Sequence, residues 1–207
     1  MASSLNSLKA SAPQAKICGL VREEDVKAAL DGGAAFIGFI FFEKSPRYVT
    51  PQRAAELAAP ARGRANIVAV TVDASDAQLA SIIDTLKPDY VQLHGHEGPD
   101  RAEAIRERFG VKVIKALRVK SREEVEAAAQ FSGKADLVLF DAAPPAGADL
   151  PGGNGETFDW SLLSGLVHGD PWFLAGGLNP FECGLGPQGH PSAARRCFLW
   201  RGAVPRV

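Results

Sequence analysis

The stretch "AKICGLVREEDVKAALDGGAAFIGFIFFEKSPRYVTPQRAAELAAP", residues 15–60, decides the fold. It opens on a short strand, "AKICG" (15–19), that ends at a glycine. "REEDVKAALDGG" (22–33) follows, with acids in its first turn, apolar Val26, Ala29 and Leu30, and a glycine stop. That spacing predicts a helix. "AAFIGFIFF" (34–42) is apolar throughout, the pattern of a strand covered on both faces. "TPQRAAELAAP" (50–60) has Thr50 where an N-cap belongs and Pro51 at the first helical position.

The same alternation continues. Strand "NIVAVTV" (66–72) precedes helix "SDAQLASIIDTL" (75–86), and "DYVQLHG" (89–95) precedes "GPDRAEAIRERFG" (98–110). "VKVIKALRV" (111–119) precedes "SREEVEAAAQF" (121–131). "ADLVLFDA" (135–142) leads to a long Gly/Pro loop, a short helix around "FDWSLLSGL" (158–166) and a last strand, "PWFLAGG" (171–177). Strands alternating with helices call for a parallel sheet with helices outside. Seven strands are too many for an ordinary open doubly wound sheet, so the fold expected is an α/β (β/α)8 TIM barrel. Residues 181–207, "FECGLGPQGHPSAARRCFLWRGAVPRV", show no apolar periodicity. The barrel is therefore expected to lack a proper eighth β/α unit.

The bulk numbers agree with one globular domain. The chain has 207 residues, 46% of them hydrophobic and 23% charged. A net charge of -1 gives no electrostatic footprint for nucleic acid or an anionic membrane surface. No run of about 18 apolar residues exists to span a membrane. Residues 1–14 are Ser/Ala-rich without an apolar segment, and are expected to be a flexible tail rather than a secretory signal. Three cysteines far apart make neither a disulfide framework nor a zinc cluster, which fits a reducing, cytoplasmic setting. A single barrel is expected to be a monomer.

In this fold chemistry sits at the C-terminal ends of the strands. The first strand ends at Cys18, either a small buried apolar residue or a thiolate base. A free thiol titrates near pH 8.5, so a base at neutral pH needs a positive neighbour. Lys16 lies two residues earlier on the same side of the strand. After the second strand, Lys44 and Arg47 are either solvated loop charges or anion ligands, and a guanidinium fork suits a carboxylate or phosphate. His94, His96 and Glu97 invite a metal reading, but their spacing is not a helical ligand pattern, and a hydrogen-bonded His94 is the better expectation. The sixth strand delivers Asp141 to the barrel mouth, either as a turn cap or as a general acid. The loop over 142–160 is long enough to act as a lid. The Gly176–Gly177 pair after the seventh strand lets backbone N–H groups approach an anion.

In combination, "KICGL" (16–20), "SPRYV" (45–49), "VQLHGHE" (91–97), "VLFDA" (138–142), "GGNGETFDW" (152–160) and "FLAGGLNP" (173–180) resemble the phosphoribosylanthranilate isomerase family. The order and spacing match over residues 15–180. Asn154 stands where that family usually has Thr or Ser. The resemblance implies an Amadori rearrangement in tryptophan biosynthesis, on a small phosphoribosyl substrate, with no cofactor and no metal. It implies Asp141 as general acid and Cys18 as general base. It also implies Arg47 beside the anthranilate carboxylate, and Gly153, Gly155, Gly176 and Gly177 in the loops around the phosphate. Indole-glycerol-phosphate synthase and histidine-pathway isomerases use other strand-end residues, and "KICGL" argues against them. A non-catalytic barrel remnant is the alternative of a different class.

The resemblance also exposes the tail. A family member continues past Pro180 with a helix and an eighth strand ending near "VDVSSGVE". When codons for 181–207 are shifted by one base, "RRCFLWRGAV" (195–204) can read Val-Asp-Val-Ser-Ser-Gly-Val-Glu. We read 181–207 as an atypical segment produced by a single-base frameshift near codons 180–181. Without an eighth strand the first and seventh would keep open edges, and the chain as written is expected to be unstable and at most weakly active.

Overall fold

The computed structural model describes residues 14–143, 157–164, 172–177 and 198–200. The strands are β1 (Ala15–Cys18), β2 (Phe36–Ile40), β3 (Asn66–Thr71), β4 (Tyr90–Leu93), β5 (Lys112–Val119), β6 (Leu137–Ala142), β7 (Trp172–Leu174) and β8 (Phe198–Trp200). Each pairs in parallel with the next, and β8 pairs with β1, so the sheet closes on itself. The helices are α1 (Glu23–Asp31), α2 (Pro51–Ala58), α3 (Asp76–Leu86), α4 (Pro99–Phe109) and α5 (Arg122–Glu126).

Side-chain alternation divides the core in two. Odd-numbered strand residues such as Ile37, Phe39, Ile67, Val91, Val113 and Val119 pack outward against Val26, Leu57, Leu79, Ile105 and Val125 of the helices. Phe36, Val68, Val70, Ile114, Ala116, Leu139 and Phe173 fill the lumen instead, where Phe36 meets Phe173 edge-on at 5.2 Å. The near-continuous apolar runs reflect this double coverage. At the N-terminal ends of the strands, Asp89 accepts from Ile67 N at 2.7 Å and Asp136 from Val113 N at 2.8 Å. Those carboxylates tie the loops to backbone donors and leave the opposite face free for chemistry.

The expected caps are present where side chains can make them. Thr50 Oγ1 accepts from Arg53 N, and Ser75 with Gln78 forms a capping box on α3. Two expected helices are shorter than their patterns. The one over 121–131 runs as α5 and then tightens into a 3-10 turn at Ala127–Phe131. Around "FDWSLLSGL" only a 3-10 turn, Trp160–Leu163, forms, with Asp159 Oδ1 accepting from Ser161 N.

The tail requires one correction. The eighth strand that periodicity fails to reveal is present as "FLW", and the edges of β1 and β7 are not open. It meets β1 through three residue pairs and β7 through one, Leu174↔Phe198. Three residues are too short to carry a periodic signal, yet they are enough to pair two edges whose backbone groups need partners. Of the eighth β/α unit, the described residues contain this strand. The tail at 1–13 and the rest of 181–207 lie outside the described residues, as do Gly153 and Gly155.

Candidate active site

Cys18 ends β1 on the lumen face. Gly38, its register partner on β2, explains how the thiol fits: a Cβ there would lie 2.9 Å from Cys18 Sγ. Gly19 follows with φ +78, a left-handed conformation that suits glycine. It donates to Gly38 O at 2.9 Å, and a Cβ on it would lie 2.9 Å from Arg47 Cδ and 3.0 Å from Arg47 Nη1. The Arg47 side chain therefore lies across the turn after Cys18. Its loop is anchored by buried Ser45, whose Oγ accepts from Arg47 N at 3.2 Å.

Asp141 reaches the same mouth from β6 and is 8% exposed. Its Oδ1 accepts from Ala142 N at 3.0 Å. Its Oδ2 lies 3.3 Å from His94 Nε2, just past the end of β4. That distance is in ion-pair range, but the ring N–H is not aimed for a hydrogen bond, and Nε2 is buried without one. The close electrostatic contact is what matters. Gln92, two residues back on the same face, meets His94 Nδ1 through its amide nitrogen at 2.8 Å. With the amide nitrogen donating, Nδ1 is the accepting nitrogen of the ring.

Gly176 and Gly177 close the rim from β7, with φ +92 and +62. A Cβ on Gly176 would lie 2.7 Å from Ala142 N, so the turn packs directly on the residue after Asp141.

The trio His94, His96 and Glu97 is dispersed among separate partners. His96 Nδ1 meets Asp73 Oδ2 at 3.0 Å on the surface. Glu97 is buried and pairs with Lys115 Nζ at 3.0 Å, while its oxygens also accept from Asp73 N and Gly95 N. Burial pushes the Lys115 ammonium down from its ordinary range, partly offset by Glu97. No group of three His, Cys, Asp or Glu side chains gathers as a metal site among the described residues.

Gln92, Gly38 and Lys115 are absent from the sequence reading of the site. Gln92 could have been found, since it shares the face of His94 at a spacing of two. Gly38 and Lys115 matter only through partners on other strands.

A closed parallel barrel that gathers a thiol, a carboxyl group and a guanidinium at its C-terminal mouth has the architecture of a barrel enzyme. A family model described as N-(5'-phosphoribosyl)anthranilate (PRA) isomerase matches residues 15–185. A Brucella canis N-(5'-phosphoribosyl)anthranilate isomerase is 54% identical over 164 residues, covering 79% of this chain and 74% of that protein. The Thermotoga maritima phosphoribosyl anthranilate isomerase superposes with a TM-score of 0.75 at 27% identity, over 91% of this chain and 87% of that one. A second solved phosphoribosyl anthranilate isomerase structure, in complex with reduced 1-(o-carboxyphenylamino)-1-deoxyribulose 5-phosphate, gives a TM-score of 0.68 at 28% identity, over 82% of this chain and 78% of that one. This chain belongs to the phosphoribosylanthranilate isomerase family. No described helix is long and apolar enough to cross a membrane.

Proposed function

We propose that this chain isomerises N-(5'-phosphoribosyl)anthranilate to 1-(2-carboxyphenylamino)-1-deoxyribulose 5-phosphate, an aldose–ketose (Amadori) rearrangement in tryptophan biosynthesis. The observation that carries the residue roles is the placement of Cys18 and Asp141 on one lumen face, at the mouth ends of β1 and β6. In this reading the Asp141 carboxyl gives its proton to the furanose ring oxygen. The C1–O bond breaks, and the anthranilate nitrogen supplies the electron pair for a Schiff base. Cys18 then takes the proton from C2, which leaves an enolamine. The enol O–H loses its proton, C1 gains one, and the ketone forms at C2. No atoms are lost and no redox partner enters; the proton moves need neither cofactor nor metal.

Arg47, lying across the Gly19 turn, presents a two-pronged donor to the anthranilate carboxylate. Gly176 and Gly177 offer backbone donors to the phosphate; the family resemblance assigns Gly153 and Gly155, outside the described residues, to the same role. The protein works as a cytoplasmic monomer in this reading; a dimer in sedimentation at assay concentration would overturn the monomer.

The test is turnover by the purified chain, with complementation of a tryptophan auxotroph lacking this isomerase. Cys18→Ala and Asp141→Asn should each lower kcat by about a hundredfold or more. A chain inert as written but active when recoded over 181–207 would keep the chemistry and make the present product a barrel remnant. Inertness of both would overturn the function.

A further inference from the structure

We propose that Lys16 is the counter-charge that holds Cys18 as a thiolate. Lys16 is 0% exposed, and its Nζ has no hydrogen-bond partner among the described residues. Buried ammonium groups are normally paired. Lys115 obeys that rule through Glu97, whereas Lys16 takes part in no ion pair among the described residues. Its register partners, Phe36 on β2 and Leu199 on β8, offer no carboxylate, and the lumen carboxyl group, Asp141, stands against His94 and makes no ion pair with Lys16.

One group of the right kind stands within reach. A point one Cβ above Gly38 lies 2.9 Å from Cys18 Sγ and 3.4 Å from Lys16 Nζ. Lys16 and Cys18 thus converge on the space that Gly38 leaves open. A thiolate there would satisfy the ammonium, and the ammonium would make a thiolate possible in an apolar lumen. Arg47, half-buried beyond Gly19, is the competing cation, but its loop opens to solvent and the proposed function commits it to the substrate carboxylate. Lys16 is a positioning residue in this scheme, because it acts through Cys18.

The inference deepens the reading of Cys18 as base, and its test does not depend on turnover. The full 207-residue chain is compared with Lys16→Met, each against its own Cys18→Ser derivative. The difference in far-ultraviolet thiolate absorbance at pH 7 then belongs to Cys18 alone. Loss of most of that absorbance in Lys16→Met, with iodoacetamide alkylation of Cys18 slowed about tenfold, is expected. Unchanged absorbance and alkylation would overturn the proposal, as would loss in Arg47→Gln with retention in Lys16→Met. Should Lys16→Met fail to fold, Arg47→Gln decides, because it removes the competing cation and keeps Lys16. In that variant anionic iodoacetate must outpace iodoacetamide at Cys18 relative to free cysteine, and the reverse order would overturn the ion pair. If instead Cys18→Ala keeps full turnover while the thiolate depends on Lys16, the ion pair stands and the base reading falls.

Discussion

His94 Nε2 stands 3.3 Å from Asp141 Oδ2, and Gln92 holds the far nitrogen of the same ring at 2.8 Å. The three side chains link β4 to β6 across the lumen. In the proposed role as acid, Asp141 has to meet one ring oxygen, and a neighbour at this distance limits where its carboxyl group can sit. His94→Asn should therefore lower kcat by about tenfold or more while KM moves little. Steady-state kinetics checks this; an equal loss through KM alone would assign His94 to substrate binding instead.

Gly38→Ala tests the space beside the thiol. The new methyl would lie 2.9 Å from Cys18 Sγ, closer than such atoms pack. The backbone there is ordinary strand, so the fold should tolerate the change better than the thiol does. We expect a folded protein by circular dichroism with Cys18 displaced and turnover down by about a hundredfold. Wild-type kinetics would show that the thiol has room elsewhere.

Glu97 and Lys115 are each 4% exposed at the side chain, so removing one partner strands the other. Glu97→Ala also removes the acceptor for Asp73 N and Gly95 N. Urea denaturation should show a loss of about 3–5 kcal/mol, the range for breaking a buried pair. A loss below about 1 kcal/mol would mean that water reaches the ammonium.

Acid should weaken the fold through carboxylates bonded to cations. A hydrogen bond and charge from Arg101 hold the Asp76 carboxyl below its usual 3.8, and Lys134 does the same for Asp100. A depressed folded value means that the unfolded chain takes up the proton first as pH falls. The stabilisation is therefore complete above about pH 4 to 5 and is lost as pH drops through the folded values. Thermal melts should be flat across pH 5 to 7 for these groups and fall below about pH 4. Asp76→Asn should make the acid limb shallower, and an unchanged slope would remove Asp76 from the account.

The β7–β8 seam is the thinnest in the barrel, with one residue pair against three at β6–β7. Recoding 181–207 in the shifted frame should thicken it. We expect the melting temperature to rise by at least about 3 °C, the shift that roughly 1 kcal/mol produces at this size. No rise would mean that the tail as written already closes the barrel adequately.

Most of the fold is legible along the chain because helices and buried strands impose different apolar periods. Thr50–Pro51 and Ser75–Gln78 even mark where helices begin. The parts that escape are those with too few residues to show a period. "FLW" is one, and the 3-10 turn at Trp160–Leu163 is another. Cys18, Arg47 and Asp141 could be named because a barrel gathers the residues at and just past its strand ends into one mouth. The lumen connections could not, because they join residues of different strands.

By itself the sequence determined the βα alternation, the family and the strand-end residues that face the mouth, since local periodicity and motif spacing are properties of the chain. Only the tertiary structure decided that Glu97 answers Lys115 rather than a metal, that His94 leans on Asp141, and that Gly38 leaves room for Cys18 and Lys16 together. Those are matters of distance between strands. They are fixed by register and closure of the sheet, which no single segment encodes.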